Sequence, residues 1–477
     1  MQTYFEAETG PLFAADFDYF RQPREKWELM LTRLKQIGSN GLVISVPWAW
    51  HEVEARVFDL SGQSNPRRDL LGLLSLCQAL ELSCILDTGP QLDKGIAGHG
   101  IPFWQRTQAG DFGESLVEGL TGWYARLGTD LKPAQWPNGP VVALIVDNGF
   151  LANRPPKLAT DLTEVKWPIW LRKHYKGIEA INQAYGTNYR TVSRVEFPET
   201  WATESTPRDR DAKAFLNEMQ VDLQPELARI LAGRGWAGPI YDAGADAPAE
   251  LPAIRRVDLS LGASVSEAIE KNIVLHLQNP IEIYPDPIDI GQGPIWAENA
   301  PVRADGSVRR KFWQVRQALW PQRGLDFFGD GPLLTFVDSG NLIVTSSQDG
   351  PIKVNTALPA KAAVYGLGLD GRLLRTDRLK ISRKKLTGTY VTEDERGQVD
   401  MVIAMGEEDF SADGFISAYL RSLLRGQHQS LCHCAEQAAA LAEILTLDDP
   451  STPPAPSAET PPASRRPTSY VLEEARR

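Results

Sequence analysis

Cysteine is scarce in this chain: four among 477 residues, at Cys77, Cys84, Cys432 and Cys434. So few thiols imply no disulfide framework, and Cys77 and Cys84 stand in apolar contexts, as small core residues do. Basic charge is in deficit as well, with 50 Lys and Arg against 61 Asp and Glu, a formal net charge of −11. Phosphate backbones and anionic bilayers call for a cationic surface, so neither nucleic acid nor membrane is an expected partner. No uninterrupted apolar run reaches membrane-spanning length. The opening stretch MQTYFEAETGPLFAADF lacks the basic and apolar regions of a secretory signal, so the expected location is cytoplasmic. Also absent are a Gly-rich phosphate loop, a nucleophile elbow and a His-Glu-x-x-His helix, and no cofactor is expected. His428, Cys432, His433 and Cys434 crowd together, but on a helix 428 and 432 share a face while 434 points away. Zinc needs about four converging ligands, so no metal site is expected.

What is present is apolar substance and aromatic rings: 42% of residues are hydrophobic and 13 are Trp, which suits a large core and stacking on sugar faces. From residue 12 to about residue 280, short apolar runs alternate with amphipathic helical patterns. In PREKWELMLTRLKQIG, Trp27, Met30, Leu31, Leu34 and Ile37 recur at helical spacing, with Pro23 at the start and Gly38 at the end. Seven or eight such β-α units predict an α/β fold, a (β/α)8 TIM barrel, over residues 1–328. The repeat is interrupted by a long segment, about 151–236, with helices of its own. GLDFFGD and the DIGQGPIWAEN region compete for the eighth strand. Beyond, short strands separated by Gly, Asp and Ser predict a small antiparallel β domain over 329–410. A helical segment at 411–448 and a disordered Pro-rich tail at 449–477 complete the expected organisation.

VVALIV reads as a buried parallel strand ending in Asp147-Asn148-Gly149, and in barrel enzymes chemistry sits where a strand's carboxyl end opens into a loop. Asn-Gly is also an ordinary turn dipeptide.

The first hundred residues carry a resemblance. Tyr19-Phe20-Arg21, Pro23-Arg24, Trp27, Trp48-Ala49-Trp50-His51-Glu52 and Phe58-Asp59-Leu60-Ser61-Gly62 resemble, in order and spacing, the opening of glycoside hydrolase family 35, the β-galactosidase family. Gly89-Pro90 and Gly100-Ile101-Pro102 continue it, and YKGIEAINQAYGTNY is similar to an insert of family 42. The resemblance, over roughly residues 10–320, implies a clan-A (β/α)8 barrel and retaining hydrolysis of β-linked sugars. That chemistry needs two carboxyl groups about 5–5.5 Å apart, one to protonate the leaving oxygen and one to attack the anomeric carbon.

The resemblance also implies that both are missing. The family's acid/base position falls on Gly149, which has no proton to give. If NIVLHLQN is strand seven, the nucleophile position falls on Gln278, an amide. Asp147 and Glu298 are the substitute catalytic candidates, one a strand step below the lost Glu, the other on a rim loop. Asn148, Asp87, Gln91 and Trp48 are the substrate-binding candidates, Asp87 standing where the family has Arg and Gln91 where it has Tyr. The family's galactose-binding Glu falls on Gly95, and its strand-two Tyr on Ser45. The expectation is therefore a β-galactosidase-like barrel that is non-catalytic or strongly altered, with a carbohydrate or protein ligand. The alternative is a working glycosidase whose carboxylates have moved, drawn from Asp87, Asp93, Asp147 and Glu298.

Overall fold

Runs such as LFAAD, GLVIS and VVALIV are too apolar to leave one face in water, and an all-parallel sheet buried on both faces is their usual destination. The computed structural model contains that sheet. It describes residues 4–7, 10–92, 94, 96–105, 116–146, 161–198, 205–242, 251–260, 265–269, 273–283, 299–323, 332–338, 341–358, 362–369, 373–375, 378–394 and 397–405. The strands are β1 Leu12–Asp16, β2 Gly41–Ser45, β3 Ser83–Asp87, β4 Val141–Val146, β5 Ile240–Asp242, β6 Ala253–Asp258 and β7 Ile273–Gln278. Their order is β5-β4-β3-β2-β1-β7-β6, parallel throughout, the succession of a TIM-type barrel wall. NIVLHLQN is thus the seventh parallel strand in chain order, and it pairs directly with β1, His276 against Ala14. Of the two segments weighed for an eighth strand, all but Asn299 lie outside the described residues.

Side chains alternate across the sheet, two residues to the period. Phe13, Ala15, Leu42, Ile44, Leu86 and Leu275 face the helices on the outside. Leu12, Ala14, Val43, Ile85, Ile145, Tyr241 and Val274 face inward as a separate core. At the strands' N-terminal end Tyr4 closes that inner core, its ring edge-on to Trp136 and its hydroxyl 3.1 Å from that of Ser83. One step further along β1, β3 and β7, the inward positions turn polar: Asp16, Asp87, His276 and then Gln278. The site is built there.

Helix α1, Trp27–Ile37, follows a single turn of 3-10 helix opened by Pro23. Trp27, Met30, Leu31, Leu34 and Ile37 are all fully buried, each contributing about 1.5–3 kcal/mol of apolar burial. Gly38 ends it at φ 114°, where a side chain would stand 2.9 Å from both Leu319 and Trp320. Helices α2, Leu70–Ala79, and α3, Leu116–Leu131, follow. The interruption between β4 and β5 carries α4, Trp167–His174, α5, Ile178–Tyr185, and α6, Pro207–Gly233. These surround a core of their own around Trp167, Trp170, Ile181 and Phe215. Thr206 and Asp209 cap α6 reciprocally.

Helix α7, Arg310–Leu319, leads to two antiparallel sheets. Their strands are β8 Leu333–Asp338, β9 Asn341–Ser346, β10 Gly350–Asn355, β11 Ala363–Gly368, β12 Leu373–Arg375, β13 Leu379–Ser382, β14 Lys385–Tyr390 and β15 Gly397–Met405. One sheet runs β8-β9-β15-β11-β12 and the other β10-β14-β13, sharing a core that includes Leu342, Val354, Leu386 and Val402. Arg316 of α7 is fully buried between barrel and sheets. It bonds the Asp400 carboxylate, the Asp400 carbonyl at 2.9 Å and the Gln36 carbonyl at 2.8 Å. The helical segment and tail expected after residue 410 lie outside the described residues. Among the described residues no helix is long and apolar enough to cross a membrane.

Candidate functional site

Asp16 ends β1 pointing inward, and His276 and Lys94 converge on it. His276 of β7 donates from Nε2 to Oδ1 at 2.6 Å, and Lys94 donates from Nζ to Oδ2 at 3.0 Å. Both oxygens of this buried carboxylate are therefore engaged. Burial favours the neutral acid, but the Lys94 charge and then His276 outweigh it, and Asp16 is held well below the ordinary carboxylate range. Lys94 lies in the loop after β3 and reaches back past β2; Asp16 and Asp18 together hold its ammonium well above the usual value against the effect of burial. Asp18 is 3.5 Å from the same ammonium. Burial pushes Asp18 up, only partly offset by Lys94, and the neighbouring Asp16 charge pushes the same way. Arg21 pins the loop a second time, its guanidinium donating to the Lys94 carbonyl with Nε at 2.9 Å.

A cavity of about 270 Å³ opens over this cluster, walled by Asp16, Asp18, Arg21, Gln22, Lys94, Asp258, Gln278 and Asn279. Asp258 ends β6 and is tied down, accepting from Ser260 Oγ at 2.6 Å and Asn279 Nδ2 at 2.9 Å. Asp87 ends β3 on the inner face and accepts from the Gly89 amide at 3.3 Å. Burial raises its carboxyl to about 6, against the pull of the Gly89 bond, Lys94, His276 and Arg256.

Beside the mouth, a second buried network fixes the loop after β2. Tyr19 donates its hydroxyl to His51 Nε2, while His51 Nδ1 lies 2.6 Å from the Asp59 carbonyl. A carbonyl only accepts, so Nδ1 carries the proton and the ring is neutral. Burial lowers the His51 pKa to about 4, against the Asp59 carbonyl bond, which favours the charged ring. Glu52 gathers the Trp48 and Trp104 indole N–H groups and the Arg56 amide. Asp59 accepts from Ser61, Gln63 and Ser64, which holds it down to about 2 against the opposing effect of burial.

The substrate-binding and catalytic candidates from the sequence separate accordingly. Gln278 lines the cavity at the end of β7. Asp87 stands at the neighbouring strand end, and Gln91 is buried in the loop that carries Lys94. Trp48 is fully buried with its N–H on Glu52, and does not line the cavity. Asp147, Asn148, Gly149 and Glu298 lie outside the described residues, as do His428, Cys432, His433 and Cys434. Cys77 and Cys84 are fully buried core thiols. Among the described residues no three His, Cys, Asp or Glu converge to hold a metal ion. Asp16, Asp18 and Lys94 escaped the sequence analysis. The available signal was the period-two step from Leu12 and Ala14, which turns Asp16 inward at a strand's carboxyl end.

Asp87 gives the site a pH signature. The folded chain keeps its proton up to about pH 6, whereas an ordinary Asp gives it up near 3.8. The stability this group contributes is complete below 3.8 and is lost as pH rises through 6. Asp87→Asn, which still accepts from Gly89, is expected to gain about 1 kcal/mol on the parent between pH 5 and pH 8. Urea unfolding at the two pH values measures it; an equal offset at both would mean that Asp87 ionises freely.

Residues 3–205 match the family model described as Glycosyl hydrolases family 35. The exo-beta-D-glucosaminidase of Pyrococcus horikoshii is 25% identical over 234 residues, 43% of this chain and 30% of that protein. Human beta-galactosidase-1-like protein 2 is 31% identical over 150 residues, 30% of this chain and 23% of that one. Mouse beta-galactosidase is 30% identical over 137 residues, 28% of this chain and 21% of its own. The chain spans less than a third of the length of these relatives. Among solved structures, the beta-galactosidase of the Antarctic haloarchaeon Halorubrum lacusprofundi superposes with a TM-score of 0.43 at 14% identity, over 67% of this chain and 60% of that one. Residues 3–205, less than half of the chain, are similar to glycosyl hydrolase family 35.

Proposed function

We propose that the barrel mouth binds a carbohydrate and does not hydrolyse it by the family's two-carboxylate route. The observation that supports this is the engagement of Asp16: His276 bonds one oxygen and Lys94 the other, so the carboxylate at the mouth is tied into an ion cluster of the barrel itself. Beside it the wall contributes an amide, Gln278, where the family resemblance calls for a nucleophile, and Gly149 stands where it calls for a proton donor. What remains is a polar recess of about 270 Å³, close to the lower bound of about 300 Å³ for small-molecule sites and suited to one sugar ring.

The test pairs binding with turnover. Calorimetric titration of the full chain with monosaccharides is expected to give binding, and dinitrophenyl glycosides with and without azide are expected to give no release above buffer. A good leaving group removes the need for an acid and azide substitutes for water, so flat traces isolate the missing nucleophile. Turnover abolished by Glu298→Gln or Asp147→Asn would overturn the proposal.

One observation favours the second reading, a working hydrolase with relocated carboxylates. Asp87, raised to about 6 by burial, and ionised Asp16 end β3 and β1 on the same inner face, one a protonated acid and one a carboxylate, the two roles that retaining hydrolysis uses. On that reading turnover exists and Asp87→Asn abolishes it on substrates with poor leaving groups.

A further inference from the structure

The deficit of basic charge is not spread evenly. In a chain of formal net charge −11, the charged residues of strands β10, β13 and β14 are all cations: Lys353, Lys380 and Lys385. Side chains alternate along a strand, and Val354, Ile381, Leu386 and Tyr390 turn to the core between the sheets. The positions between them turn out. Lys353, Asn355, Lys380 and Ser382 are exposed, and Lys385 and Thr387 are half-buried. Lys353, Thr387 and Lys380 lie side by side in register, and Asn355, Lys385 and Ser382 form the next row. Neighbouring strands stand about 4.8 Å apart, so Lys353 and Lys380 bracket Thr387 at roughly 9–10 Å.

Three further cations border this face. Arg378 precedes β13, Arg383 and Lys384 make the turn into β14, and all are exposed. The turn is held against local preference: Arg383 and Lys384 have φ 49° and 60°, left-handed values that two-residue hairpins ordinarily give to Asn and Gly. Among the described residues no carboxylate pairs with any of these six cations. The bordering acids, Asp349 and Glu393, stand past Gly350 and Tyr390, at the opposite end of the strands from that turn, and Asp349 is taken up by Thr392. Like charges gathered on one small face repel one another, and a polyanion laid across them removes that repulsion.

We propose that the outer face of β10, β14 and β13 docks a linear acidic polysaccharide. Between the cations stand Asn355, Ser382, Thr387 and Thr389, short groups that donate and accept, as sugar hydroxyls do. No aromatic ring stands on the face, so the bases of a single-stranded nucleic acid have nothing to stack on. A three-stranded sheet laid flat is also broader than the helix or two-stranded ribbon that a duplex groove admits. Pro351 apart, no apolar side chain is exposed there to enter a bilayer. The face shares no residue with the mouth cavity and needs no ligand there.

Calorimetric titrations of the full chain with polygalacturonate oligomers, dextran sulfate and neutral dextran test it. At least one of the acidic glycans is expected to bind and neutral dextran is not, with affinity falling as salt rises because each neutralised anion releases a counterion. The triple variant Lys353→Gln, Lys380→Gln, Lys385→Gln removes half of the cations. It is expected to bind at least about tenfold more weakly, with about half the parent's slope of log affinity against log salt. A matched triple, Lys166→Gln, Arg172→Gln, Lys176→Gln, takes the same charge from exposed positions in and beside α4. Distant charges are screened, so its affinity is expected to stay within about threefold of the parent. Circular dichroism melts establish that each variant is folded before its titration is counted. Equal losses in the two triples would show attraction to charge at large and overturn the inference. So would binding of neither acidic glycan, equal binding of neutral dextran, or tighter binding of an oligonucleotide or of phosphatidylserine vesicles. Sugar binding at the mouth is measured separately with monosaccharides, and its failure leaves this face untouched.

Discussion

Arg316→Ala is expected to destabilise the folded chain by about 3–5 kcal/mol, because it strips one partner from a fully buried ion pair. Asp400 has no solvent exposure, and Arg316 donates to its carboxylate and carbonyl as well as to the Gln36 carbonyl. Removing the guanidinium leaves the carboxylate dry and unpaired and leaves two carbonyls short of a donor. It also removes the cation from the faces of Phe312 and Trp320, 4.9 and 4.7 Å away. Coulomb attraction alone does not make the pair valuable, since desolvating both ions costs several kcal/mol. The double variant Arg316→Met with Asp400→Leu is therefore expected to recover most of the loss. Urea unfolding of parent, single and double variants gives the comparison, and a single variant within about 1 kcal/mol of the parent would contradict the account.

The second large effect belongs to the mouth. Asp16→Asn is expected to cost about 3 kcal/mol at neutral pH, since it removes the anion that Lys94 and His276 both face. Lys94 keeps Asp18 at 3.5 Å and is 24% exposed, which limits the damage to the low end of the range for buried pairs. The effect has a pH signature opposite to that of Asp87. With its folded pKa depressed from 3.8, Asp16 contributes stability that is present above 3.8 and lost as pH falls through the folded value. The deficit of the variant should therefore be full at pH 7 and shrink toward about pH 2. A deficit independent of pH would show that Asp16 acts by packing and not by charge.

Helix α1 was legible because its signal is local: five apolar residues at helical spacing between Pro23 and Gly38 settle both its face and its ends. The barrel strands were legible for the same reason, as apolar runs that nothing but a doubly covered sheet accommodates. The edges of the β domain were not. β12 and β13 lie in LLRTDRLKISRKK, whose charged residues mask short strands that take their stability from neighbouring backbone. The mouth was half legible. The resemblance named the positions to inspect, Gly149 and Gln278, because that depends on matching positions along the chain, and of the two only Gln278 is among the described residues. The cluster at the mouth depends on pairs 78 and 260 residues apart, Lys94 and His276 on Asp16, which no spacing rule connects.

The Leu369 carbonyl accepts from Arg33 at 2.7 Å and from Gln36 at 3.0 Å, and the Gln398 side chain pairs with Val308 through both its N–H and its C=O at 2.7 Å. Each is a graft of one module's main chain onto the other's side chains. A recombinant that exchanged the C-terminal sheets for those of a distant cousin would have to import these acceptors at matching heights, or leave α1 with guanidinium and amide groups facing a dry seam.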